Sequence, residues 1–220
     1  MINIQNLIND FVRKENEENK RKVENWHSSS IGSCLRGQYF KRLGAKPDQE
    51  FDDRTLRVFN CGKIFENWIV ELLKKQKDVK IKTQIKAKDK ELELSGYADL
   101  ILSNKNESIV YELKTKNSKS FWYMVGKGEG AMKQHQLQLF SYLYMLGFKE
   151  GRIVYIEKDT LSILEYPILL SNKELEKEFL DELNLLNTAW KLKDPKILPL
   201  PKKDSWKGRY CQYHKQCVKF

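Results

Sequence analysis

Two acidic residues and a lysine have the spacing that a β-hairpin would bring together. Twelve residues separate Asp99 from Glu112, and one residue separates Glu112 from Lys114. Carboxylates that lie directly opposite each other destabilise a bare sheet. A divalent cation would remove that cost, because hard cations take oxygen ligands of this kind. The spacing therefore predicts a metal site with a lysine beside it.

The hairpin itself is predicted by the residues on both sides of a turn. Residues 97–102 and 109–114 are rich in strand-forming side chains, and residues 104–106 have the composition of a turn. A hairpin folded symmetrically about this turn places Leu100 opposite Tyr111, and Asp99 opposite Glu112 on the same face as Lys114. The other face is then mostly apolar: Ala98, Leu100, Leu102, Ile109, Tyr111 and Leu113.

A second set of polar residues lies on the helix that is predicted between Ala131 and Gly147. His135, Gln138 and Tyr142 share one face of that helix, and apolar side chains surround them on the others. Polar groups on a buried helix need hydrogen-bond partners. One interpretation is that these residues satisfy nearby backbone groups.

Together these residues resemble a known nuclease motif. Asp99, Glu112-x-Lys114 and Gln138-x3-Tyr142 are similar to the RecB-like group of the PD-(D/E)XK nuclease superfamily, which includes the CRISPR-associated exonuclease and phage exonucleases. The resemblance covers residues 28–220. It implies Mg²⁺ or Mn²⁺ bound by Asp99, Glu112 and the Leu113 carbonyl, with Lys114, Gln138 and Tyr142 positioning water or the DNA backbone.

Glu66 is the position at which the chain departs from this pattern first. RecB-like enzymes carry Gly-x3-His here and bind metal through the imidazole, whereas this chain has Gly62-x3-Glu66. The resemblance implies that Glu66 completes the oxygen ligands of the metal or binds a water on it. A carboxylate favours Mg²⁺ and leaves Mn²⁺ competent. The alternative is a solvated glutamate on a helix.

Three of the four cysteines suggest a second metal site. Cys34, Cys211 and Cys217 are similar to the iron–sulfur members of the group, although Gly208 replaces the first cysteine of the C-terminal motif. A [4Fe-4S] cluster usually takes four cysteines. Three alternatives stay open: a cluster with another fourth ligand, a structural Zn²⁺ that also uses His214, or ordinary thiols without metal.

Charge and composition favour a polyanionic partner. The net charge is +10, and lysines are interleaved with aromatic residues in the segment 116–129, where Phe121, Trp122 and Tyr123 could stack on bases or simply be buried. Arg36 could contact a phosphate. We expect no membrane span, no secretory signal and a cytoplasmic protein.

The predicted elements define the fold class. Helices, three strands, a helix, two strands and a helix predict a mixed α/β (α+β) fold, and the resemblance implies a restriction-endonuclease-like central mixed sheet flanked by helices. Residues 1–27 are expected to form an N-terminal helical extension, and the resemblance implies a nuclease domain over 28–220. Within that domain, 52–170 form the catalytic core, and 28–44 with 205–220 form a possible cysteine-containing subdomain.

The helix boundaries follow from periodicity and capping residues. Helices are expected over 3–25, over Ile31–Leu43 with a cap in 28–30, and over 172–193. A helix over 53–76 is expected to point six residues inward: Leu56, Phe59, Ile64, Trp68, Ile69 and Leu72.

The resemblance implies a DNA exonuclease that acts on single strands or frayed ends. It would serve recombination, phage DNA metabolism or CRISPR spacer processing, with a protein partner from one of these pathways. Two alternatives remain, an endonuclease for flaps or branched DNA and a silent module that binds DNA or a partner.

Overall fold

A six-stranded mixed sheet flanked by helices forms the centre of the protein, as the sequence predicts. The structure is a computed structural model that describes residues 2–20, 23–200 and 211–217. The strands are β1 Trp26–His27, β2 Lys80–Asp89, β3 Leu94–Ser103, β4 Ser108–Lys116, β5 Glu150–Glu157 and β6 Ile163–Leu169. The helices are α1 Ile4–Glu18, α2 Leu35–Leu43, α3 Asp53–Leu73, α4 Ser118–Gly126, α5 Lys133–Leu146, α6 Lys173–Leu192 and α7 His214–Cys217.

The sheet combines hairpins with one parallel crossover. The strand order is β1-β3-β4-β5-β6, and β2 pairs with the remaining edge of β3. The pairs β2–β3, β3–β4 and β5–β6 are antiparallel, whereas β1–β3 and β4–β5 are parallel. Parallel neighbours need a long connection, and here α4 and α5 supply it between β4 and β5. This connection places α5 against the sheet.

Helix α5 is the centre of the hydrophobic core. It packs between the sheet and α6, and its apolar side chains are fully buried on several sides, as its composition predicts. The core residues of the two helices include Leu137, Leu139, Phe140 and Leu143 of α5 and Phe179, Leu183 and Leu186 of α6. No helix among the described residues is long and apolar enough to cross a membrane.

The β3–β4 hairpin has the predicted register but is short. Leu100 pairs with Tyr111 and Ser103 with Ser108, and the ladder ends at Leu100. From there β4 continues alongside β5, and β1 pairs with β3 only at Leu94 and Ser95. Because β2 occupies the other edge of β3, an opening remains between β1 and β4 along residues 96–99.

The predicted inward face of α3 is correct for Leu56 and wrong for four of the other five residues. Only Leu56 and Val70 are buried on this helix, whereas four of the six predicted residues are between 39% and 60% exposed: Phe59, Ile64, Trp68 and Leu72. The helix packs against α1 and against β4 of the sheet. Its apolar periodicity therefore does not mark a core-facing stripe.

Three further local predictions need correction. Residues 118–126 form α4, with Asn117 as its N-cap and only Phe121 and Met124 buried. Residues 28–30 form a 3₁₀ turn instead of a cap, so that α2 begins after Cys34. The predicted end of α2 is correct, because Gly44 adopts a left-handed φ of 75° there. Helix α1 ends at Glu18, before the predicted residue 25.

Candidate active site

Asp99 lies in the opening where β4 separates from β3. Its Oδ2 accepts a hydrogen bond from the backbone N–H of Leu113 at 2.8 Å. The carboxylate thus replaces the carbonyl that a continued ladder would provide, directly after the Leu100–Tyr111 pair. The separation of the strands makes room for this side chain, and the hairpin register brings it to Glu112.

Glu112 is fully buried beside Asp99, and one of its oxygens is crowded with donors. Lys114 Nζ lies 2.6 Å and Gln138 Nε2 lies 2.7 Å from Glu112 Oε1. The other oxygen, Oε2, has no hydrogen-bond partner among the described residues. Buried polar atoms without a partner are rare in folded proteins and call for an explanation.

The two carboxyl groups interact strongly because Glu112 is fully buried and Asp99, which is half-buried, lies beside it. Burial first, and the neighbouring Glu112 second, raise the pKa of Asp99 to about 7. Burial also raises the pKa of Glu112, although Lys114 opposes the shift. Two carboxyl groups this close titrate as a pair. Without a cation, the pair therefore retains a proton near neutral pH.

Lys114 supplies the positive charge of the site. Burial acts against its charged form, but Glu112 and Asp99 outweigh that effect and raise the pKa of the ammonium. The lysine is therefore protonated at neutral pH. It contacts Glu112 in an ion pair that is almost entirely shielded from solvent on the glutamate side.

Glu66 reaches the same region from α3. Burial and then the charge of Asp99 raise its pKa, and Gln84 Nε2 donates to its Oε1 at 2.6 Å. Gln84 belongs to β2 and has a φ of 50°, which interrupts the β2–β3 ladder opposite Asp99. Gln84 was not identified from the sequence. Its strand is rich in lysine, and a glutamine among other polar residues gives no sign of a functional contact.

Gln138 and Tyr142 lie behind the carboxylates. Gln138 is 5% and Tyr142 is 1% exposed, and Gln138 Nε2 also lies 3.4 Å from the Tyr142 hydroxyl. Both residues therefore support Glu112 from within the protein. The third polar residue of α5, His135, contacts the Tyr155 hydroxyl at 2.7 Å through Nδ1. Burial, with Lys114 and Lys116, lowers the His135 pKa to about 3, so the imidazole is neutral.

The carboxylate pair fits a divalent cation in its donor chemistry. No three His, Cys, Asp or Glu side chains within the described ranges surround a common point that could hold a metal ion. Asp99 and Glu112 instead accept from Leu113, Lys114 and Gln138. A hard cation would provide a partner for the unsatisfied Oε2 of Glu112. It would also displace the proton that Asp99 retains. A contact from the Leu113 carbonyl remains a prediction.

The three cysteines of the predicted second site lie together. A Cβ built on Gly37 would be 3.2 Å from Cys211 Sγ and 3.8 Å from Cys34 Sγ. A hydrogen bond with Cys34 and burial raise the pKa of Cys211, and burial and Cys34 raise that of Cys217. The thiols of Cys211 and Cys217 are therefore protonated, and their ligation as thiolates would require the charge of a metal.

Two residues near the cysteines do not have the predicted role. Arg36 is buried and donates from Nε to the Leu198 carbonyl at 2.9 Å and from Nη1 to the Cys217 carbonyl at 3.0 Å, so it is not a phosphate contact. His214 is exposed, unlike Cys211 and Cys217, and is not buried with them as a zinc ligand. Gly208 lies outside the described residues. The described residues thus provide three thiols and no fourth ligand.

Of the aromatic residues in the segment 116–129, one is buried and two are exposed, so that only the exposed two are available to stack on bases. Phe121 is buried in the core, whereas Trp122 is 50% and Tyr123 is 59% exposed on α4. Lys119 is exposed on the same helix. This helix follows β4 directly, next to the carboxylate site.

Comparisons with known proteins agree with this geometry. The sequence profile of the PD-(D/E)XK nuclease superfamily matches residues 10–218. No curated protein matches the chain.

Solved structures share the fold at low sequence identity. The crystal structure of SSO0001 is 20% identical with a TM-score of 0.62, and the match covers 98% of this chain and 96% of that one. LHK-Exo in complex with dAMP, an alkaline exonuclease from Laribacter hongkongensis, is 13% identical with a TM-score of 0.56, covering 79% and 93%. A phage-related exonuclease from Haemophilus somnus is 12% identical with a TM-score of 0.50, covering 81% and 97%.

Proposed function

Because the chain belongs to the PD-(D/E)XK nuclease superfamily, we propose that it is a divalent-metal-dependent DNA nuclease. Its substrate is a DNA phosphodiester, and its cation is Mg²⁺ or Mn²⁺. More specifically, we propose an exonuclease that prefers single strands or frayed ends. A role in recombination, phage DNA metabolism or CRISPR spacer processing, with a partner protein from such a pathway, remains a prediction.

One observation carries the proposal. The half-buried carboxyl group of Asp99 and the buried one of Glu112 lie together with the Lys114 ammonium, 2.6 Å from Glu112, in an opening of the sheet. A structural ion pair would balance charges, whereas this site has two acids for one lysine and leaves an acceptor unsatisfied. Such an imbalance is costly unless the pair holds a proton, as it does near neutral pH, or a bound cation takes the place of that proton.

The residues would divide the chemistry as follows. Asp99 and Glu112, with Glu66, would hold the cation, which supplies a water of lowered pKa and neutralises charge on the scissile phosphate. Lys114 positions the attacking water or stabilises the phosphate charge with its ammonium. Gln138 keeps Glu112 in orientation, and Tyr142 supports Gln138. Gln84 orients Glu66 from β2.

Two features favour exonuclease activity on DNA. Structural neighbours that cover more than three quarters of this chain are exonucleases by name, and one was solved with dAMP. The chain also carries a net charge of +10, which suits a polyanion. These features support the proposal at the level of substrate class.

The test is a cleavage assay with labelled oligonucleotides. The protein should release nucleotides from linear single strands with Mg²⁺ or Mn²⁺ and release none with a chelator. D99N and K114A should lose at least about a thousandfold in rate while still binding DNA. Lys105→Ala, in the exposed β3–β4 turn, is the matched control and should cleave normally.

Three outcomes would contradict parts of the proposal. Cleavage of circular single strands would indicate an endonuclease. Binding without cleavage under either metal would indicate a silent module. Undiminished cleavage by D99N would remove the assignment of the site.

The cysteine cluster supports a separate proposal. Cys34, Cys211 and Cys217 would bind a soft metal, as an iron–sulfur cluster or as zinc, because Cys34 and Cys211 lie against the same glycine, Gly37, and both interact with the buried Cys217. Metal analysis and the visible spectrum of the purified protein would distinguish iron with acid-labile sulfide from zinc. Metal-free protein with full stability would contradict both.

A further inference from the structure

A cavity of about 580 Å³ lies against α4 and the loop before α5. We propose that it binds the nucleotide next to the scissile phosphate of a single-stranded DNA, with Lys116 and Lys119 at its phosphate and Tyr123 stacked on its base. The proposal rests on the proposed nuclease function and names the part of the protein that reads the substrate. The cavity is of the size that small-molecule ligands occupy in proteins.

The position of Lys116 links the cavity to the carboxylate site. Glu112, Lys114 and Lys116 alternate along β4, so they project from the same face of the sheet. The strand stays paired with β5 as far as Lys116 and is therefore extended there. Its rise places Lys116 about 7 Å beyond Lys114. Lys116 would thus be the next positively charged side chain along β4 for a DNA strand that is bound at Lys114.

The lysines of the cavity are available to a phosphate. Among the residues that the structure describes, neither Lys116 nor Lys119 has a carboxylate within salt-bridge distance. Lys116 Nζ instead lies 3.3 Å from Met132 Sδ and 4.9 Å from the centre of the Tyr155 ring. Two lysines face one acid in the lining, Glu129, which is exposed. The cavity therefore has an excess of positive charge.

Tyr123 gives the cavity an aromatic wall. Its side chain is 59% exposed although it lines the cavity. Covering this apolar surface with a flat partner lowers the free energy. In the binding of single strands, the common form of this contact is the stacking of a base on an aromatic ring. An unpaired base is required, because paired bases are already stacked in a duplex.

The experiment measures binding in a chelator, where no cleavage occurs. Fluorescence anisotropy of a labelled oligo(dT) gives the affinity at several salt concentrations for the wild type, K116Q, K119A, Y123A and Y123F. The control is Lys105→Ala, an exposed lysine outside the cavity. A blunt duplex of equal length serves as the comparison substrate.

The expected results are specific to each residue. Each lysine variant should bind oligo(dT) about three- to tenfold more weakly, and the slope of log K against log salt should fall by about 0.7. Y123A should lose at least about fivefold with oligo(dT) and less than about twofold with the duplex, and Y123F should bind like the wild type. In cleavage, these variants should raise KM and change kcat by less than about threefold.

The results that overturn the proposal differ from those that overturn the nuclease function. Binding of oligo(dT) within about twofold of wild type by Y123A, or by both lysine variants with an unchanged salt slope, removes the cavity as the nucleotide site. An equal loss of affinity in the Lys105→Ala variant also removes it, because such a loss would indicate nonspecific electrostatic binding. A protein that binds as predicted but never cleaves would refute the nuclease and leave the nucleotide site standing.

Discussion

Gln138 donates to the same oxygen of Glu112 that Lys114 contacts, at 2.7 Å and 2.6 Å. The amide from α5 and the ammonium from β4 together fix one carboxylate oxygen, whereas the other has no hydrogen-bond partner among the described residues. The orientation of Glu112 therefore depends on a helix that lies behind the sheet as well as on its own strand.

Replacing Gln138 with Ala should lower cleavage about 10- to 100-fold, because a carboxylate that loses its orienting partner holds a cation less well. It should also cost about 1–3 kcal/mol of stability, since a buried acceptor loses a donor. The measurements are kcat with an oligonucleotide and the Tm. Gln134→Ala on the same helix, whose amide reaches only the Ser29 carbonyl at 3.4 Å, is the control and should change neither. Equal effects from both variants would contradict the role of Gln138.

The stability of the metal-free protein should fall as the pH rises from about 4 to 7. Burial and Glu112 raise the Asp99 pKa to about 7, so the folded protein holds a proton that the unfolded chain has released. The Tm in chelator should be several degrees higher at pH 6 than at pH 8, and D99N should show a smaller difference. Mg²⁺ should raise the Tm of the wild type more at pH 8 than at pH 6. Parallel pH curves for the wild type and D99N would contradict this.

Glu157 should stabilise the protein with the opposite pH dependence. Burial favours its neutral form, but hydrogen bonds from Ser118, Thr160 and the Asp159 N–H outweigh it and lower the pKa to about 2. Its contribution is therefore present above pH 4.3 and is lost as the pH falls toward 2. E157Q should lower the Tm at pH 7 by a few degrees and weaken the loss of stability in acid. Glu107→Gln, in an exposed turn, should behave like the wild type.

Gly96 should tolerate no side chain. A Cβ there would lie 2.8 Å from Ser28 Oγ and 2.9 Å from Tyr142 Cε1, and such overpacking costs about 1–3 kcal/mol. Gly96→Ala should therefore lower the Tm and, by displacing Tyr142, also the rate of cleavage. Gly126→Ala is the matched control, because nothing lies within 4 Å of the added carbon. A Gly96 variant as stable as that control would contradict the close packing.

The sequence predicted the acidic hairpin well because its register depends on local pairing. Leu100 opposite Tyr111 follows from the turn alone. The rule that buried polar groups are satisfied requires a partner for Gln138 but does not identify it, and the contact with Glu112 is known only from the structure. The prediction for α5 succeeded for a related reason, since a helix that is apolar on all sides has to be buried.

The failures involve contacts between distant segments. The pairing of Trp26 with Leu94 involves a strand of two residues, too short to have a pattern. Helix α4 was missed because only Phe121 and Met124 are buried in it. The exposed face of α3 was predicted as buried because periodicity reveals amphipathicity but not which surface is covered. Arg36 was assigned to DNA because its carbonyl partners, at Leu198 and Cys217, are more than 160 positions away.

The hydrogen bond from the Leu113 N–H to Asp99 makes one backbone proton sensitive to the state of the whole centre. When the carboxylate gains a proton or turns toward an ion, that N–H loses a charged acceptor. The NMR chemical shift of this amide proton would then change, and no chemical probe has to be attached to the protein. The point where the two strands separate is thus also a spectroscopic reporter of occupancy.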